Sequence, residues 1–303
     1  MKTKFWAAAA ITAAMILCLS GMAIGQDKAA GAPAAANQLV EKVGNNGSVN
    51  WTEGYAEAVG IGAPPQRYIG TPQARPNALR AAKLDAYRNL LEVINGVRVD
   101  SSTTVKDFAV ESDIINTQVQ GIVKGAQAME PEYLSDGTVE VTVRMPLSGN
   151  FASVIIPKLL EKRLAPTPAP VAPAALAAPA AAPAAPAAPP EVFTGLVVDA
   201  RGIQARPAMS PRIIDEKGVE VYGSMNVERE YAVQQGMSGY ARDLTAAQSN
   251  ARGTNSPVSV KGIKTEGAGR SDIVIANADA EKIRASADNM SFLKKCRVMI
   301  VLD

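Results

Sequence analysis

Hydrophobic and polar positions along the chain switch period several times, and each switch marks an element. Ser48–Trp51 and then Tyr55–Gly62 alternate, which predicts strand with the Ala56, Ala58 and Ile61 region facing a helix. Leu79, Ala82, Ala86, Leu90, Val93 and Ile94 then recur every three or four residues, with Arg80, Lys83, Arg88 and Glu92 mostly off that stripe. This is an amphipathic helix, begun near Pro76 and stopped at Gly96, whose alanines allow close approach to a sheet. Val97–Val105 reads as a β-rich run, and 113–123 fits a short helix or a strand equally well. Gln127–Tyr133 and Thr138–Pro146 form a predicted hairpin around Ser135-Asp136-Gly137, with Val139, Val141 and Val143 on the buried face. Phe151–Leu164 closes the block as a helix with Val154, Ile155, Leu159 and Leu160 apolar.

A second block runs from 191 to 303. Phe193–Gly202 opens it as a strand, and Arg212–Asp215 meets Glu220–Tyr222 in a hairpin across Glu216-Lys217-Gly218. Helix is predicted over Asp243–Arg252 and Ala278–Asn289, strand over Pro257–Ile263 and Asp272–Ile275, and a last strand over Arg297–Leu302. Between the blocks, residues 165–190 are nearly pure Ala and Pro, which cannot bury a core and disfavour helix. They predict a disordered, semi-rigid spacer extending at most about 3.1 Å per residue.

The first residues predict export. Met1-Lys2-Thr3-Lys4 is basic, Phe5–Leu19 is apolar, and Ala23 and Gly25 sit three and one before Gln26, the layout of a cleaved secretory signal peptide. The apolar run is shorter than the ~20 residues of a membrane span. Cys18 follows Met15-Ile16-Leu17, a poor fit to a lipidation site. The expected organisation is a signal peptide (1–25), a disordered segment (26–47), an α+β domain (48–164), the spacer (165–190) and a second α+β domain (191–303), each domain small and sandwich-like.

Composition then excludes chemistry. The chain has 31 basic and 29 acidic side chains, and removal of Lys2 and Lys4 leaves a mature net charge of zero. A nucleic-acid binder needs a basic face, so none is predicted. Histidine is absent, which excludes Ser-His-Asp and Cys-His catalysis and His-ligated zinc. Cys296 is the one mature cysteine and reads as a buried thiol in a terminal strand. Gly60 and Gly62 tempt a dinucleotide reading, but Ala63-Pro64-Pro65 follows where a third glycine should open a helix. No cofactor and no metal set is predicted.

The stretch Glu57-Ala58-Val59-Gly60-Ile61-Gly62, the Ala-rich helix from Ala78 to Leu91, Ile94-Asn95-Gly96-Val97-Arg98-Val99, Gly121-Ile122-Val123-Lys124-Gly125 and Asp136–Val141 together resemble the envelope lipoprotein family of the Helicobacter Lpp-twenty type. They resemble the N-terminal domain of flagellar assembly protein T as well. The likeness covers about 48–160 and consists of packing positions. It implies an envelope location and a link to outer-membrane or flagellar assembly, and it brings no catalytic set. The chain departs from the family in lacking a convincing lipobox, so the anchor does not carry over.

Two groups in the second block are candidate sites. Asp199 and Arg201 lie two apart on the opening strand and share a face, with Arg212 or Asp215 as neighbours, or form a structural ion pair. Tyr231 and Tyr240 lie on either side of the polar, glycine-punctuated stretch Gln234-Gln235-Gly236-Met237-Ser238-Gly239, and these tyrosines with Gln234 and Gln235 read as a partner-binding loop. The expected protein is a non-enzymatic binding or assembly module of the periplasm or cell surface. Its partner is an envelope protein or a second copy, and peripheral outer-membrane association is allowed. No membrane span remains after cleavage. The alternative is a periplasmic enzyme using carboxylates and arginine in the second domain. A third reading, an outer-membrane barrel, lacks the serial strand pattern it requires.

Overall fold

The computed structural model describes residues 37–164, 193–252, 256–285 and 287–303. The expected signal peptide, the first part of the N-terminal segment and the Ala/Pro-rich spacer lie outside the described residues. Two α+β halves are present, each with its own sheet.

In the first half, β1 (Val40–Val43), β2 (Gly47–Asn50), β3 (Tyr55–Gly62) and β6 (Val139–Pro146) form an antiparallel sheet. The short β4 (Gln127–Ala128) and β5 (Glu132–Tyr133) both pair with β6. β1 corrects the expectation of disorder through residue 47: its register with β2 pairs Val40 with Asn50. Val139, Val141 and Val143 are buried as their alternation requires. The turn before them closes through Gly137, whose φ of 87° suits glycine.

Helix α1 (Ala74–Asn95) lies on this sheet and buries Ala78, Ala82, Ala86, Leu90, Val93 and Ile94. The face is the predicted one, except that Ala78 replaces Leu79 at its start. Small residues on both sides bring the backbones together. A Cβ on Gly60 would stand 2.0 Å from the Ala86 nitrogen and 2.3 Å from the Ala82 oxygen. One on Gly62 would stand 2.2 Å from the Ala78 oxygen. These glycines are therefore a packing device that lets the helix backbone touch the strand.

The run 97–105 is not a strand. Only an isolated bridge joins Arg98 to Thr104, and α2 (Val105–Glu111) begins at once. A capping box starts that helix, with the Asp107 carboxylate accepting from the Thr104 N–H at 2.7 Å. The ambiguous stretch after it is helical: α3 (Asp113–Lys124) buries Ile115, Val119 and Val123, one residue per turn. α4 (Asn150–Leu164) closes the half as predicted.

The second half is a seven-stranded mixed sheet. Its strands are β7 (Gly195–Asp199), β8 (Arg212–Asp215), β9 (Glu220–Tyr222), β10 (Gly239–Ala241), β11 (Pro257–Glu266), β12 (Asp272–Ile275) and β13 (Val298–Val301). Their order is β10-β13-β7-β11-β12-β8-β9, and the first four are mutually parallel. Leu196 and Val198 face the main core, whereas Val197, Met299 and Val301 face a second small core completed by Ala241 and Ala247. Burial on both faces explains why these strands read as continuous apolar runs. Helices α5 (Arg229–Gln235), α6 (Leu244–Gln248), α7 (Asn277–Arg284) and α8 (Ala287–Lys294) complete the half. Asp243 caps α6 by accepting from the Ala246 N–H at 2.8 Å. The predicted helix over 278–289 is two helices, and α5 and β10 occupy what reads as loop.

The halves pack into one compact unit that begins at Asn37, with one continuous apolar core. Among the described residues no helix is long and apolar enough to cross a membrane.

The glycine contacts carry a stability prediction. Gly60→Ala should cost about 2–3 kcal/mol, because the obstructing atoms are backbone. Gly121→Ala, in mid-α3 with nothing within 4 Å of the added methyl, should gain about 0.5–1 kcal/mol. Urea unfolding of the two variants measures both; equal midpoints would refute the close-contact account.

Candidate functional site

Polar groups of the two halves meet at the junction between the sheets. Its first part is main chain. Met209 and Ser210 donate their N–H groups to the carbonyls of Arg98 (3.0 Å) and Val99 (2.8 Å), and Gly269 donates to Ser101 (2.7 Å). On the other flank, Gly149 N–H donates to the Val233 carbonyl at 2.7 Å.

Charge reinforces these contacts. The Glu41 carboxylate accepts from Trp51 Nε1 (3.0 Å), Arg206 Nη2 (3.1 Å) and Arg98, whose Nε donates in turn to the Pro207 carbonyl at 2.9 Å. Burial alone would raise the Glu41 carboxyl, but Arg98, Trp51 and Arg206 together hold it below the usual carboxylate range. Deeper in, Ser101 Oγ donates to Asp272 at 2.6 Å, and Arg212 pairs with the same carboxylate.

An aromatic pair sits beside this network. The rings of Trp51 and Tyr240 meet edge to face, 5.8 Å apart with 73° between planes. The Tyr240 hydroxyl donates to the Ala208 carbonyl (2.7 Å) and accepts from its N–H (2.9 Å). Burial pushes that hydroxyl up to about 12. A cavity of about 130 Å³ opens next to the pair, walled by Trp51, Leu147, Met209, Met237, Tyr240 and Arg252.

Arg252 holds the 235–240 segment in place. Its guanidinium donates to the carbonyls of Gly236 (3.0 Å), Cys296 (3.2 Å) and Gln235. Among the described residues it has no carboxylate partner, and burial lowers its pKa. Beneath it, the Tyr222 hydroxyl donates to the Met237 carbonyl. Burial pushes the adjacent Cys296 thiol up to about 11, so this cysteine is the inert, buried group predicted.

The predicted site residues divide. Asp199 and Arg201 form a two-bonded ion pair at 2.8 and 2.7 Å, and the first cause of the lowered Asp199 carboxyl is Arg201. They do not join Arg212 or Asp215: β11 and β12 lie between, and those residues pair with Asp272 and Arg284. Tyr240 is buried at 3% exposure and serves the junction, so it offers no surface to a partner. Tyr231 is half-buried, while Gln234 and Gln235 are exposed at the end of α5. These three line one pocket. The expected binding loop is thus a helix end followed by a short loop. Glu41, Trp51 and Arg252, which organise the region, carry no local sequence signature.

A family model described as the second domain of Treponema pallidum Tp0624 matches residues 195–303. That range is the second half of the fold, from the start of β7 to the end of the chain. No curated protein matches the chain.

Because the Glu41 pKa is depressed in the folded state, its contribution is present above the ordinary carboxylate pKa and is lost as pH falls through the folded value. Glu41→Gln should lower stability at pH 7 by about 1–3 kcal/mol and flatten the loss of stability below about pH 4.5. Thermal melts from pH 3 to pH 7 test this; parallel curves for parent and variant would remove Glu41 from the acid response.

Proposed function

We propose that the protein is an exported, non-enzymatic binding or assembly module of the cell envelope. One observation carries the choice of a binding module over an enzyme of carboxylate and arginine chemistry. Every carboxylate with a displaced pKa among the described residues is displaced downward: Glu41, Asp107, Asp136, Asp199 and Asp215. Three are held by arginines and two by the backbone and side chain of a nearby threonine. Such groups stay ionised as structural anchors, whereas a general acid needs a raised pKa.

The modular architecture supports the same reading. The second half matches a family model named for one domain of a larger protein, and the first half has the packing positions of the envelope family it resembles. Export rests on the basic, apolar and small-residue order of the first 25 residues. A link to outer-membrane or flagellar structure comes from that resemblance alone. The binding face belongs at the end of α5, where Gln234 and Gln235 stand exposed on a helix fixed by α4 and the junction.

A photo-crosslinking side chain placed at 234 in intact cells should give a specific adduct with an envelope protein or a second copy of the chain. The same group at Arg80, exposed on α1, serves as control. Identical adducts from both positions would refute the assigned face. N-terminal sequencing should find Gln26 first; uncleaved chain in the cytosol would refute export.

A further inference from the structure

A basic pocket lies against the end of α5 and shares Gln235 and Arg252 with the junction cavity. Tyr231, Gln234 and Gln235 line one wall, and Arg252, Lys295 and Arg297 supply the charge. It encloses about 310 Å³, at the lower end of the ~300–1,000 Å³ typical of small-molecule sites.

The backbone builds this arrangement. Cys296 adopts φ of 55°, a left-handed conformation uncommon outside glycine. That turn sends the thiol into the core and leaves Lys295 and Arg297 half-buried on either side of it. Gln235 Nε2 donates to the Lys295 carbonyl at 2.8 Å and pins α5 to the turn. The Cys296 carbonyl accepts from Arg252, so the same turn also orients the third cation.

The charges there are not neutralised. Among the described residues, Arg252, Lys295 and Arg297 have no ion-pair partner. The acceptors on Arg252 are carbonyls, which carry no net charge. On α5 and its N-cap, Glu230 accepts from the Gln234 amide at 3.1 Å, and the charge of Glu228 acts on the Cys296 thiol. Neither lines the pocket. Three cations lining one pocket, with no counter-charge among the described residues, form an incomplete electrostatic unit.

We infer that this pocket binds a phosphate-class anion bearing at least two negative charges, with Arg252, Lys295 and Arg297 as its charge partners. A single carboxylate would leave most of the positive charge unanswered. A tetrahedral oxyanion can accept from the planar Arg fork and from the Lys ammonium at once. The inference names the ligand chemistry of the face proposed above and takes only its location from that proposal. An anionic phospholipid headgroup and a soluble phosphate compound share this chemistry.

Calorimetric titration of the purified chain with sodium pyrophosphate at low salt tests the inference. Saturable binding is expected, weakened about tenfold or more in the Lys295→Ala/Arg297→Ala variant, whose fold is checked by its melting transition. Should that variant not fold, Lys295→Gln, which changes one half-buried side chain, should still weaken binding about threefold or more. No saturable binding at millimolar pyrophosphate, unchanged affinity in a folded variant, or equal binding of acetate would overturn it. Flotation with phosphatidylglycerol vesicles, and not with phosphatidylcholine vesicles, would assign the anion to a lipid headgroup. Pyrophosphate binding without flotation would assign it to a soluble phosphate compound. These measurements use purified chain, so their failure is separate from failure of export or of partner capture.

Discussion

Main-chain groups of the 97–101 loop find their partners in the other half of the molecule, and that demand ties the two sheets together. Arg98, Val99 and Ser101 present carbonyls that Met209, Ser210 and Gly269 satisfy. A buried polar group left without its partner costs about 1–3 kcal/mol. Separating the halves would expose these groups to water and also open the Trp51–Tyr240 contact and the Glu41 network. The interface therefore behaves as interior structure. A tether between two surfaces that already match works through effective concentration more than through reach.

The same demand explains where the β-rich run 97–105 goes. Its alternation is real, but the Arg98, Val99 and Ser101 carbonyls are spent across the junction, and the capping box at Thr104 and Asp107 starts a helix before a strand can extend. Tertiary hydrogen bonding overrides local propensity here. Much else was legible because its cause is local. The α1 stripe, the Val139–Val143 alternation, the Gly137 turn and the β8–β9 hairpin all depend on residues within a few positions of one another. β1 was missed because four residues of strand between polar neighbours give too little period to detect. α5 and β10 were missed for the same reason, each only a few residues long.

Legibility of the site follows the same division. The polar, glycine-punctuated stretch from Gln234 to Tyr240 is visible in the sequence, and so are Tyr231, Gln234 and Gln235 as surface candidates. What sequence could not separate is inward from outward. Tyr240 has the same local signature as Tyr231, yet it is buried against Trp51, a residue far away in the chain. Asp199 and Arg201 were readable as a pair, and the pair is what the structure contains. Arginines and carboxylates that the alternative chemistry requires are taken in the same way, Arg212 by Asp272 and Arg284 by Asp215.

Against that background of paired charge, the turn at Cys296 stands out for what it keeps apart. Lys295 is 60 residues from the Gln235 amide that it accepts from, and Arg252 is 16 from the nearest carbonyl it holds, so no local motif could announce the cluster. The left-handed conformation of Cys296 is disfavoured for a side chain with a Cβ, and it persists only because burial of the thiol and the Arg252 bond to its carbonyl over-determine it. A chain selected for stability alone would have a glycine available for that turn and an acidic residue available for Arg252. Burial of the thiol accounts for the cysteine at that turn, but packing gives no such account of three cations around one pocket with no acidic partner among the described residues, and on that absence the proposed anion site rests.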